Sequence, residues 1–354
     1  MKISSIRFHL ALWGMGLAFL GACQPTNRDW TMVGELERTS GPEDLSGMSH
    51  QAGDLYWFVG DNAGELHLGQ LTLDAHTGRP TNFTIKETFK LAGADDLEGV
   101  AYDSQSKTVW VSDETGPAIL EYAPSSHQII SRVTIPTVYG SARKNRGFEA
   151  LALSPDGLSL WVCNENELAA DDDGAEALSE FVRLSKFCRK SKNGKWNLAG
   201  QWAYSLSNRS ESSSAKKVKG EKKNGNKKGL TSNIKPPKPP KTRNGIADLC
   251  VLNDGRLLLL EREKTKFKKE TSFRLAIYEL DVTSANDISA YATLIGSSPK
   301  PVEKRLVYAS DTGNAMYEGL TQGPTLTDGS RTLILVSDGE KGAAKRLMVL
   351  KSSR

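Results

Sequence analysis

Short apolar runs and polar turns alternate along this chain on a fixed schedule. Starting at Asp96 the order is Leu-Glu-Gly-Val-Ala-Tyr-Asp103, a polar turn, and then Thr108-Val-Trp-Val-Ser-Asp-Glu114. The same phrase occurs at Asp44–His50 with Leu55–Asp61, and at Gly147–Gly157 with Leu160–Glu165. It returns at Gly245–Gly255 with Arg256–Arg262, and at Tyr317–Gly323 with Arg331–Asp338. Each copy reads as a strand, an Asp/Gly/Ser turn and a second strand, with acidic residues at or near both outer ends. Repeats of this kind are stacked supersecondary units.

Between the copies lie further β-branched and aromatic runs, which bring most units to four strands and predict an all-β chain. The corresponding positions Ser46, Glu98, Glu149, Ala247 and Glu318 are 52, 51, 98 and 71 residues apart. That spacing predicts a β-propeller of five blades. A sixth could hide in 169–179 or 297–314. Ala290–Ile295 reads as the fourth strand of the fourth unit. The fifth unit has three strands, and the lone strand Thr31–Glu37 supplies the missing one, so the ring closes with no open edge. A monomer is expected.

Hydrophobic residues make up 38% of the chain, enough for a sizeable core. The net charge of +4 hides an asymmetry: Lys216–Arg243 carries ten Lys, one Arg and one Glu, so the remainder is acidic. The low-complexity stretch 207–243, Ser-rich, then Lys-rich, then Pro-rich, is expected to be a disordered insert within the propeller domain, residues 31–354. It has no interleaved aromatics, so it could touch nucleic acid, lipid phosphates or lipopolysaccharide only as an anionic surface, without specific nucleic-acid recognition; a solubilising loop explains it as simply. At the N-terminus, Lys2 and Arg7 precede the apolar Leu10–Leu20, and Leu20-Gly-Ala-Cys23 follows. The segment is too short to span a membrane and resembles a bacterial lipoprotein signal over residues 1–22. That resemblance implies acylation of Cys23, a tether over 23–30, and a place at the outer membrane facing the periplasm. Of the remaining cysteines, Cys163 and Cys250 read as buried thiols, and a Cys163–Cys188 bridge stays open.

In a propeller the first strand of each blade lies nearest the axis and starts at the top face. Glu98, Glu149, Asp248 and Glu318 are therefore expected to rim a central funnel. Asp61, Asp113, Glu114, Glu165, Glu261 and Asp338 end the second strands at that face. Carboxylates crowded in this way need cations, basic partners or raised pKa values. Hard oxygen ligands suit Ca²⁺ or Mg²⁺, which makes Glu98, Glu149, Asp248, Glu261, Glu318 and Asp338 candidate metal ligands. Arg146 and Arg262 could hold an anionic substrate. The alternative is a structural role, in which these acids accept backbone N–H groups of their own turns.

The chain has five His and no Gly-x-Ser-x-Gly, His-Glu-x-x-His or Gly-x-x-x-x-Gly-Lys-Ser/Thr motif. This argues against Ser-His-Asp chemistry and leaves metal-assisted attack of water, with Glu98, Glu149 and Glu318 as candidate catalytic residues. Asn145–Gly157, Gly245–Arg262 and Tyr317–Leu326, in this order, resemble the phytase-like family described as "esterase-like activity of phytase". The resemblance spans roughly Gly41–Ser352 outside the insert. It implies a propeller hydrolysing a small-molecule phosphate or carboxylic ester, with calcium as the expected ion and the family's acids at Glu98, Glu149, Asp248, Glu261 and Glu318. Ser46 and Ala247 depart from the acidic pattern. A non-catalytic binding propeller at the cell envelope is the alternative.

Overall fold

A computed structural model describes residues 29–60, 64–172, 181–207, 240–339 and 342–353. Cys23, Asp61 and most of the basic insert lie outside them. Strand β1 (Trp30–Glu37) comes first. The first blade is β2 (Leu45–Ala52), β3 (Leu55–Gly60), β4 (Glu65–Leu73) and β5 (Pro80–Lys90); the second is β6 (Leu97–Asp103), β7 (Thr108–Asp113), β8 (Ala118–Ala123) and β9 (Gln128–Arg132). The third holds β10 (Phe148–Leu153), β11 (Ser159–Asn164), β12 (Phe181–Cys188) and β13 (Asn197–Ser205). The fourth holds β14 (Lys241–Val251), β15 (Leu257–Phe267), β16 (Glu270–Asp281) and β17 (Glu303–Gly313), and the last β18 (Met316–Gln322), β19 (Thr332–Asp338) and β20 (Arg346–Ser352).

These form five four-stranded antiparallel sheets, and β1 completes the fifth by pairing with β20 from Trp30–Ser352 to Glu37–Arg346. The chain is a five-bladed β-propeller, and the terminal strand closes the ring as the apolar pattern predicts. The inner strands β2, β6, β10, β14 and β18 each pack on the next, and β18 returns to β2. An apolar core fills each gap between neighbouring blades. Trp57 and Val111 belong to the core between the first two blades, and Trp110 and Phe148 to the core between the second and third. Every blade thus buries its two faces on its neighbours, and the strands read as continuous apolar runs.

Two local expectations change. The outer strand of the fourth blade is β17, not Ala290–Ile295. Ile288 and Leu294 carry a strand-like apolar signal, but they bury against Ala203 of β13 in the third blade. Asp171, paired through both oxygens with buried Arg183, accepts the Leu294 N–H at 2.9 Å and holds that crossing. In addition, residues 241–243, read from composition as the end of the insert, are the first residues of β14. Cys163 and Cys188 are free. They lie four residue pairs apart along the β11–β12 ladder, about 13 Å and too far for a bridge.

Candidate functional site

Every inner strand carries a β-bulge at the same place. The paired register slips between Leu45 and Gly47, Leu97 and Val100, Phe148 and Ala150, Ile246 and Asp248, and Tyr317 and Gly319. The bulged residues are Ser46, Glu98, Glu149, Ala247 and Glu318. A bulge re-aims its side chain and leaves it outside the ladder, so the repeated Glu is held at the axis by backbone geometry. The next residue is Gly or Ala in four of the five blades, because the inner strands touch there. A Cβ on Gly47 would stand 2.3 Å from the Glu98 carbonyl oxygen, and one on Gly99 would stand 2.6 Å from the Leu151 Cβ.

A second ring comes from the ends of the second strands. Leu97 faces Asp113, Phe148 faces Asn164, Ile246 faces Glu261 and Tyr317 faces Ser337. One residue further, Glu114, Glu165, Arg262 and Asp338 share the opposite parity. Strand side chains alternate, so Glu261 and Arg262 point to different faces. Arg262 is the one that enters the funnel.

Among the described residues, two groups of three acids each bring one oxygen per residue within 4.8 Å of one another: Asp96, Glu98 and Glu114, and Glu114, Glu149 and Glu165. Glu114 belongs to both. Glu114 and Glu149 are buried, and Glu98 and Glu165 half-buried. Glu114 Oε1 accepts the Gly147 N–H at 2.9 Å, which ties the second blade to the third. Burial, with Asp96 and Glu165 nearby, pushes the Glu114 carboxyl up to about 7. Burial and the carboxylates of Glu98 and Glu165 also push Glu149 well above the usual range, against the pull of Arg262. The acids can thus take up a cation or share protons. Their oxygen donors suit a hard divalent ion.

Arg262 closes the site on the fourth blade. Its Nη2 lies 2.9 Å from Glu165 and its Nη1 pairs with Glu318. Arg146 donates to Asn166 Oδ1 beside this rim. Glu98 and Glu149 of the sequence-predicted ligands are therefore in the acidic groups, and Glu318 joins them through Arg262. Asp248 and Glu261 stand apart, and Asp338, which shares the parity of Glu114 and Glu165, belongs to neither acidic group. Asp248 occupies the small-residue position after the bulge. Its carboxylate accepts the N–H groups of Leu249 at 2.8 Å and Leu320 at 2.6 Å, and that of Leu151. It fastens three inner strands. Glu261, on the opposite face of β15, accepts from Tyr204 Oη at 2.5 Å and pairs with Lys304 at 2.8 Å. Asp338 is buried at the end of β19, near Arg38, whose guanidinium is lowered to about 10 by burial against the attraction of that acid. Asp96, Glu114 and Glu165 join the site beyond the predicted ligands. The strand-end acids are visible in sequence; which of them turn inward depends on register parity.

Fold and site together define an acid-lined five-bladed propeller whose rim is interrupted by an arginine. The model of the phytase-like family, described as esterase-like activity of phytase, matches residues 42–340, and the chain belongs to that family. No curated protein matches it. Similar solved structures include the PQQ-bound form of aldose sugar dehydrogenase from Streptomyces coelicolor, with 12% identity, a TM-score of 0.41, and coverage of 92% of this chain and 98% of that one. Glutaminyl cyclase from Myxococcus xanthus has 12% identity and a TM-score of 0.38 over 92% and 97% of the two chains. A streptogramin B lyase has 12% identity and a TM-score of 0.34 over 90% and 97%. Similarity at this level carries no chemistry across.

Proposed function

We propose that the protein hydrolyses a small-molecule phosphate or carboxylic ester at the acid-lined funnel with the help of a divalent cation. The carrying observation is the pair of acidic triads that share Glu114. Opposite oxygens around Ca²⁺ stand about 4.6–5.2 Å apart and around Mg²⁺ about 4.0–4.2 Å, twice the metal–oxygen distance. The oxygens of each triad lie within 4.8 Å of one another, a span that the ligands of either ion can occupy. Asp96, Glu98, Glu114, Glu149 and Glu165 would hold it. A cation there supplies Lewis-acid polarisation and neutralises charge on the ester. With no ion bound, burial and the neighbouring acids raise the Glu114 carboxyl to about 7, so a cation would displace its proton on binding. Arg262, fixed by Glu165 and Glu318, retains further N–H groups for an anionic oxygen of the substrate.

The test is hydrolysis of p-nitrophenyl phosphate, a short p-nitrophenyl ester and phytate with Ca²⁺, with Mg²⁺ and with chelator. Turnover that disappears with chelator and in Glu114→Gln supports the reading. Cation binding with no turnover would replace it with a binding propeller that carries a structural ion. We place the protein at the cell envelope, tethered through acylated Cys23 and facing the periplasm. Cys23→Ser should then release it from the membrane fraction, and retention there would reject the anchor.

A further inference from the structure

The fourth blade is taller than the others. Its strands run 11, 11, 12 and 11 residues, whereas the inner strands β6 and β10 run 7 and 6. The excess lies beyond Ile246 and Glu261, at the end where the acidic funnel opens. We propose that this extension, led by the β15–β16 hairpin, is a docking element for an anionic phospholipid surface, seated so that the funnel mouth faces the headgroups.

Three observations carry the proposal. Residues 241–245, 262–275 and 307–313 hold eight Lys and Arg against three acids. Register then sorts these charges onto faces. Lys241 pairs with Lys266, Arg243 with Lys264 and Gly245 with Arg262. Directly paired residues share a face, so above Arg262, which is held by Glu165 and Glu318, a cationic ladder climbs from Lys264 to Lys266, about 7 Å along β15. The facing residues on β16 are Leu275, Phe273 and Thr271, and the Lys264 ammonium lies 5.5 Å from the Phe273 ring centre. Like charges set opposite one another are unfavourable in an isolated ribbon and become favourable over an anionic plane.

The hairpin tip supplies what a purely electrostatic track lacks. Phe267 pairs with Glu270 and leaves Lys268 and Lys269 as a two-residue turn. Phe267 is 37% exposed, with the Lys268 ammonium 5.3 Å from its ring centre. An aromatic flanked by lysines at a protruding tip matches a bilayer interface, where the ring enters the headgroup boundary and the ammonium groups stay with the phosphates. Lys268 also adopts φ 55°, a conformation for which glycine or asparagine is the unstrained choice in a tight hairpin. A soluble polyanion that carries no aromatic rings would use the ladder but gain little from Phe267.

The test is co-sedimentation of the full chain with vesicles of phosphatidylcholine alone and of phosphatidylcholine mixed with phosphatidylglycerol. The N-terminal segment is common to both, so the difference between them reports the charged surface. The mixed vesicles should retain more protein, and salt should weaken this preference. Lys266→Gln/Lys268→Gln/Lys269→Gln should lower partitioning onto them by about fivefold per lysine. Phe267→Ser should lower it several-fold at a salt concentration that screens the lysines. All these side chains are exposed, so unchanged melting temperatures confirm that the variants fold. Equal partitioning onto both vesicle types overturns the proposal. So does a Phe267→Ser variant that binds as the parent does while the lysine variant is lost, since that pattern leaves the hairpin tip out of the docking and reduces it to unspecific charge attraction.

Discussion

In the third blade the bulge on β10 presents Glu149, and the second strand ends by turning Glu165 inward; in the fourth the same two places hold Ala247 and Arg262. The backbone device is the same in both blades and the charge is opposite. The fourth blade has an acid one residue later, but Asp248 lies past the bulge and serves three backbone N–H groups instead of the funnel. A repeat fold can therefore build an asymmetric site without altering its frame. The second and third blades supply a concentration of carboxylates, and the fourth a fixed cation that faces them. One side suits a divalent ion and the other the anionic oxygen of an ester.

The largest effect should come from Glu149→Gln. It removes an acid from the more buried triad, and both Ca²⁺ affinity and turnover should fall about 100-fold or more, measured by calorimetric titration and initial rates. Asp248→Ala should do the reverse. It strands buried N–H groups and should cost about 3 kcal/mol of folding stability by denaturant midpoint, while Ca²⁺ affinity stays the same. A fall in Ca²⁺ affinity would mean that the two neighbouring positions are not functionally separate. Arg262→Gln should raise KM for a phosphate ester about tenfold, the loss expected for one charge-assisted contact, and leave KM for a neutral carboxylic ester unchanged. Equal effects on both substrates would make Arg262 a clamp for Glu165 and Glu318 only.

The difference between these blades also marks how far the sequence alone could be read. β10 and β11 fall where the apolar pattern puts them, Phe148–Leu153 and Ser159–Asn164, because both are continuous buried runs ended by polar turns. The closing strand was legible for the same reason: the fifth unit lacked one. The bulge was not. Without it, Asp248 aligns with Glu149 as the nearest acid, and Glu261 with Glu165 as a strand-end acid. A one-residue slip reverses the face of every later side chain, and no local signal in Ile246-Ala-Asp248 reveals where the extra residue sits. β17 was hidden by a different cause. Lys304, Arg305 and Leu306 lie on a partly exposed outer strand that lacks the buried run of an inner one, whereas Ile288 and Leu294 advertise burial that belongs to another blade.

The smallest expected effect separates the acidic side from the rest of the funnel through pH. Glu114 has its carboxyl raised from 4.5 to about 7, so between those values the folded chain keeps a proton that the unfolded chain has lost. Its contribution to stability is therefore full below about pH 4.5 and is lost as pH rises through about 7. A divalent cation competes for the same oxygens and is favoured as the proton leaves. Without added cation the melting temperature should drift down across that interval, and the gain on adding Ca²⁺ should grow over the same range. Glu114→Gln should flatten both slopes, while Glu261→Gln, on the opposite face of β15, should leave the Ca²⁺-dependent slope intact. A Ca²⁺ gain that is the same at about pH 5 and about pH 8 would show that this proton and the ion do not share a site.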